Sequence, residues 1–269
     1  MTERADQGAM GPVFQTRLPV APWAAPHTRR LPGTQPLDPA DWLQIDDAYA
    51  GQMAQRDHLI ASGAPVHALN PVAADAAAEL LDLVLTHLPR LGFSGSDVIM
   101  RPDGVAVPVD RQAPLLTLGR LCQEDFCILQ KQGDEHVLTG AILCFPSGWT
   151  LTEKLMRPLT SIHVPVPDYD EGIARRVQRL FDGIQVDRPL WRANILPYEH
   201  PRLFAPQLED LRRRRTLGPK PFLRSERQCL LRLPVTGAVI FSIHTYMLRM
   251  DDLPPEIRAG VATYEVPEP

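Results

Sequence analysis

The chain has 269 residues, of which 44% are hydrophobic, with a formal net charge of −4 and a pI near 6.1, so one substantial core can be buried. Its positive charge is mostly arginine, dispersed except at Arg212-Arg213-Arg214-Arg215, and that run reads as the solvated end of a helix rather than a nucleic-acid surface. No apolar run reaches membrane-spanning length, no signal-peptide core opens the chain, and the four cysteines contain no Cys-x-x-Cys pair; this argues against a spanning segment, an iron–sulfur site or a structural zinc site, and predicts a soluble protein of the reducing cytoplasm.

Residues 1–36 are rich in Pro, Ala, Thr and Arg and read as an extended arm over the surface of the body, with no chemistry placed there. Asp38-Pro39 opens a predicted helix running to about Ser62, with Trp42, Ile45, Tyr49 and Met53 at helical intervals. A second helix starts at Asn70-Pro71, an N-cap followed by proline, and continues to Leu88. From Asp125 the period changes. Phe126–Leu129 and Val137–Phe145 flank a Gln132-Gly133-Asp134 turn and predict a hairpin whose second strand is stopped by Pro146. An amphipathic helix opens near Asp168–Asp170, with Ile173, Val177, Leu180, Phe181 and Ile184 on one face. A last hairpin pairs Arg224–Leu233 with Ala238–Leu248, and residues 251–269 form a Pro-rich tail. Strands, a helical crossover and more strands predict an α+β domain over residues 37–250, with a mainly antiparallel sheet, flanking helices and an N-terminal helical extension. Neither a Gly-x-Gly-x-x-Gly nor a Walker A motif is present, which disfavours a nucleotide-binding sheet.

Two places carry candidate chemistry. His163 lies in the stiff stretch Ile162-His163-Val164-Pro165-Val166-Pro167, where two prolines hold the backbone rigid, so its imidazole suits a metal or haem or else packs in a core with both nitrogens satisfied. In Arg224-Ser225-Glu226-Arg227-Gln228 strongly polar residues continue an apolar strand. Alternation puts Arg224, Glu226 and Gln228 on one side, beside Val239, Phe241, Ile243, Thr245 and Met247, and sends Ser225 and Arg227 to the other. Buried charges need partners, so the set is either a structural ion-pair network or a pocket in which Glu226 receives a cation while Arg224 and Gln228 donate to a second ligand. Asn194 is read as an Asx-turn residue or a further donor. His200 and His244 do not complete a zinc-ligand spacing.

In order along the chain stand Phe145-Pro146-Ser147-x-Trp149, Glu153-Lys154, Ile162-His163-x-Pro165-Val166-Pro167, Arg192-x-Asn194, Arg224-x-Glu226-Arg227-Gln228 and Leu233-Pro234-x-Thr236-Gly237-x-x-x-Phe241-x-Ile243-x-Thr245-Tyr246. This series resembles the haem-binding subunit of haem-dependent oxidative N-demethylases, or dimethylamine monooxygenases, over roughly Leu37 to Leu248. It departs from the family pattern at Ile195, where an aromatic is usual, and at His244, where a basic residue is usual. The resemblance implies a PAS-like domain that binds haem b through His163 and oxidatively demethylates a small secondary amine such as dimethylamine with dioxygen. It also implies Arg224, Glu226, Arg227 and Gln228 as the polar catalytic set, and FMN, 2Fe–2S and NADPH carried by separate reductase subunits. The alternative within the same fold is a haem sensor or oxygen-binding module without catalytic activity.

Overall fold

Both predicted hairpins form, each closed by a turn whose glycine, Gly133 at φ 62 or Gly237 at φ 70, takes the left-handed conformation that side chains resist. The structure, a computed structural model, describes residues 11–21, 33–162, 171–208 and 218–263. In chain order its elements are β1 (Gln35–Pro36), α1 (Tyr49–Ala61), β2 (His67–Leu69), α2 (Ala74–His87), β3 (Val98–Met100), β4 (Ala106–Pro108), α3 (Pro114–Leu121), β5 (Asp125–Gln132), β6 (Glu135–Ile142), α4 (Leu151–Lys154), α5 (Leu159–Ile162), α6 (Glu171–Gly183), β7 (Leu190–Tyr198), β8 (Phe222–Arg232), β9 (Val239–Arg249) and α7 (Pro255–Thr263).

Seven strands form one sheet in the order β1-β7-β8-β9-β5-β6-β2, every neighbouring pair antiparallel, and β3 and β4 form a small separate ribbon. Its two faces bury different clusters. On one, Phe126, Ile128, Ile142, Cys229, Leu231 and Ile240 meet Met53 of α1, Leu80 of α2 and Leu118 of α3. On the other, Leu129, Leu138, Leu230, Val239 and Ile243 meet Leu151 of α4, Leu159 of α5 and Phe181 of α6. The alternation along each strand thus serves both faces, which is why the strands read as nearly continuous apolar runs.

The first predicted helix differs from expectation. Asp38 caps only a short 3-10 turn at Pro39–Asp41, and the regular helix begins at Tyr49. Residues between them leave the helical path because their groups are used elsewhere: the Trp42 indole donates to Ser242 Oγ at 2.9 Å and the Gln44 backbone N–H donates to Glu124 Oε1 at 2.9 Å. Strand β7 has no counterpart in the pattern of apolar residues. It pairs fully with β8 but only through two residues with β1, so it is half-exposed, carries polar side chains and tolerates Pro197. Residues at both ends of the chain also join the body: Gln15 is buried against β9, and Leu253 and Val261 pack with Leu223 and Leu248. No helix among the described residues is long and apolar enough to cross a membrane. All four cysteines are buried and free. The arginine run at 212–215 lies outside the described residues.

Candidate functional site

Strand register fixes which side chains meet. Across β8 and β9 the opposed pairs are Arg224 with Met247, Glu226 with Thr245, Gln228 with Ile243 and Leu230 with Phe241. Across β7 and β8 they are Asn194 with Glu226 and Arg192 with Gln228. Opposed residues share a face, so Arg192, Asn194, Arg224, Glu226, Gln228 and Thr245 form a polar patch beside the apolar wall of Leu230, Phe241 and Ile243.

Glu226 is the centre of that patch and is 8% exposed. Arg224 Nε donates to its Oε1 at 3.1 Å, while Gln228 Nε2 and Asn194 Nδ2 donate to its Oε2 at 3.0 and 3.3 Å. Asn194 also accepts the Glu226 backbone N–H through Oδ1 at 3.0 Å, so one amide grips both main chain and carboxylate. Asn194 therefore stands mid-strand as a clamp, not in an Asx-turn. Its signal in the sequence was the matching two-residue spacing of Arg192-x-Asn194 and Arg224-x-Glu226-x-Gln228 on neighbouring strands.

Arg224 is fully buried and turned inward. Besides Glu226, it donates to the carbonyls of Leu203, at 3.1 Å, and of Phe145, and its guanidinium lies 5.8 Å from the Tyr198 ring centre. These contacts draw the Phe145-Pro146-Ser147-Gly148-Trp149 loop to the patch. Ser147 Oγ meets the Tyr198 hydroxyl at 2.9 Å, and the Gly148 N–H donates to the Ala205 carbonyl at 3.0 Å. Asp125 holds the same loop from behind: its carboxylate accepts the N–H groups of Cys144 and Phe145 at 2.7 and 2.9 Å and the buried Arg56 guanidinium at 2.7 Å.

Arg227 is not brought together with this set. It lies on the opposite face, donates to the carbonyls of Trp42 and Asp41 at 2.9 and 2.7 Å, and sits 5.6 Å from the Trp191 ring centre. Its neighbour there is His244, enclosed by Glu124 at Nδ1 and Asp46 at Nε2, both at 3.0 Å. Burial alone would lower the His244 pKa, but the two carboxylates outweigh it and hold the ring protonated up to about 9. With both nitrogens donating, this imidazole has no lone pair for a metal. His200, whose ring stands edge-on to Tyr198, has a buried Nδ1 with no hydrogen-bond partner among the described residues, and burial followed by the nearby Arg202 lowers its pKa.

His163 lies outside the described residues. The chain enters its segment at Ile162, which packs on the cluster containing Leu230 and Ile243, and Trp149, Leu190 and Phe241 are half-buried around the same cluster. On this face an aliphatic and aromatic wall ends at the Glu226 patch. A shallow indentation lined by Leu43, Ile45, Tyr49, Leu88 and Phe93 lies on the opposite face and is too tight to admit a water molecule, let alone a tetrapyrrole. Among the described residues no group of three or more His, Cys, Asp or Glu side chains could hold a bare metal ion. A family model described as haem-dependent oxidative N-demethylase, alpha subunit-like, matches residues 33–264, most of the chain.

Proposed function

Because the chain belongs to the haem-dependent oxidative N-demethylase, alpha subunit-like family, we propose that it is the haem-carrying component of a monooxygenase that removes a methyl group from a small secondary amine such as dimethylamine. The observation that carries this reading is a buried carboxylate, Glu226, oriented by Arg224, Asn194 and Gln228 at the edge of an apolar face. We take the cofactor to be haem b and its axial ligand to be His163. Residues 37–250 form one PAS-like haem domain in this reading, supported by the strand order β6-β5-β9-β8-β7, in which the first hairpin lies against the last strand. The alpha-subunit description supports separate reductase subunits, to which we assign FMN, 2Fe–2S and NADPH. Four free, buried thiols support a reducing, cytoplasmic setting.

Haem, when bound, supplies the activation of dioxygen and the oxidation of the N-methyl carbon, which leaves as formaldehyde. The chain supplies the rest. A small secondary amine is a cation at neutral pH, and Glu226 can accept one of its N–H bonds. A carboxylate has about four acceptor positions, and the three side-chain donors occupy three, with one remaining on Oε1. Leu230, Phe241 and Ile243 on the same face exclude water from beside it. Arg224 acts here by fixing Glu226 and the Phe145 loop rather than by reaching the amine. Arg227 serves the same strand from behind, tying it to residues 41–42.

The test is an absorption titration of the purified holo-protein with dimethylamine, coupled to formaldehyde release on supply of electrons and dioxygen. An amine-dependent shift of the haem band with formaldehyde formation is expected. Haem binding without either response would reduce the protein to an oxygen-binding module.

A further inference from the structure

Arg56 and Asp125 form an ion pair at 2.7 Å with both side chains enclosed, and a buried pair of charges is a poor source of stability because each ion gives up its water. What the pair secures is geometry. Arg56 belongs to α1, whose Met53 packs on the sheet face opposite Glu226, and its guanidinium is fixed between α3 and the start of β5 by the carbonyls of Gly119, Gln123 and Glu124 at 3.0, 3.2 and 2.8 Å. Asp125 opposes Ile243 on β9, which opposes Gln228 on β8, so register places its carboxylate on the Glu226 face.

One residue, Phe145, joins this pair to Glu226. Asp125 Oδ2 accepts the Phe145 N–H at 2.9 Å and Oδ1 accepts the preceding N–H of Cys144 at 2.7 Å; a carboxylate that spans consecutive N–H groups holds the peptide plane between them. The Arg56 guanidinium lies 5.3 Å from the centre of the Phe145 ring, and Pro146 restricts Phe145 to extended backbone. With its N–H, ring and backbone held, Phe145 can turn its carbonyl only one way, and there it receives Arg224. The Leu203 carbonyl at 3.1 Å takes a second donor, and the planar guanidinium then brings Nε to Glu226 Oε1 at 3.1 Å. Contacts thus run without a break from Arg56 through Asp125, Phe145 and Arg224 to Glu226; the first four are no more than 2% exposed, and Glu226 is 8% exposed. They end on Oε1, the oxygen that keeps an acceptor position.

We propose that Arg56 and Asp125 are positioning residues for Glu226: by fixing the Phe145 peptide they set Arg224, and through it the carboxylate oxygen that receives the amine. This rests on the reading of Glu226 as the anchor of the amine. Asn has one acceptor oxygen, which the Arg56 and Cys144 donors occupy, so Asp125→Asn turns an NH2 group against the Phe145 N–H and frees that peptide. Calorimetric titration of the holo-protein with dimethylamine should then show affinity about tenfold weaker, and in a Glu226→Gln background the same substitution should have no further effect. A crystal structure of the Asp125→Asn protein should show the Phe145 carbonyl, Arg224 and the Glu226 carboxylate displaced. If that variant does not fold, Asp125→Asn combined with Arg56→Met leaves no orphan charge and gives the same reading. Wild-type affinity in a variant that only melts earlier, or an undiminished effect in the Glu226→Gln background, overturns the proposal. If wild type and Glu226→Gln bind the amine equally, the anchoring role fails instead, and the crystal structure alone decides whether Asp125 positions Glu226: an unmoved Arg224 and Glu226 would show that it does not.

Discussion

Glu226 illustrates how a side chain can be both paired and available. Its three donors, Arg224, Gln228 and Asn194, all belong to the protein, which is what a structural network requires, yet they converge on one carboxylate and leave an acceptor position on Oε1. A charge-assisted hydrogen bond contributes about 1.5–3 kcal/mol, so Glu226→Gln should weaken amine binding by roughly one to two orders of magnitude while haem stays bound. Amine titration of the haem band at matched haem occupancy measures this. Equal dissociation constants in the two proteins, with lowered thermal stability in the variant, would assign Glu226 to the fold alone.

Between elements, a dense polar junction lies on the other side of the sheet. Asp46 from the segment before α1, Glu124 just before β5 and His244 on β9 form one largely buried chain, extended by Gln123 and Gln15, each donating to Asp46 at 2.9 Å. Burial would raise the Asp46 pKa, but the His244 bond and charge prevail and bring it down to about 2. His244 moves the other way, from 6.5 to about 9. A raised folded-state pKa gives stability that is complete below pH 6.5 and is lost as pH rises through about 9; the lowered Asp46 value gives stability lost only on acidification towards pH 2. Burial lifts the Cys229 and Cys144 thiols to about 11 and 12, outside that alkaline window. The protein should therefore lose on the order of 3 kcal/mol between pH 6.5 and 9. His244→Gln should be less stable at pH 6 and show a flatter profile, read by denaturant unfolding at each pH. An equally steep profile in the variant would place the alkaline loss elsewhere.

For the molecule as a whole, the sheet has an incomplete edge that the N-terminal residues close. Strand β5 covers β9 only from Val239 to Ile243, so the outer half of β9 lacks a strand on that side. Gln15 substitutes for one: its N–H donates to the Met247 carbonyl at 3.0 Å, its Oε1 accepts the Met247 N–H at 2.8 Å, and its Nε2 donates to the Thr245 carbonyl at 3.1 Å. Gln15→Ala leaves the buried Met247 N–H without its partner, while the Thr245 carbonyl keeps Gln52 Nε2, and should cost about 1–3 kcal/mol, with faster hydrogen exchange at the Met247 amide and no change at the β5–β6 amides. Unchanged Met247 exchange would show that the edge is closed without Gln15. The sequence by itself determined the two hairpins, the second helix and the sharing of one face by Arg224, Glu226, Gln228, Ile243 and Thr245, because period-two alternation and a short turn fix register locally. It also separated Arg227 from that face. Tertiary structure alone decided that Arg224 spends its donors on Phe145 and Leu203, that Asn194 grips Glu226, that the first helix begins at Tyr49, and that Gln15 and His244 meet at Asp46. Those contacts join residues tens to hundreds of positions apart, and no local periodicity encodes which distant carbonyl or carboxylate a buried side chain will meet.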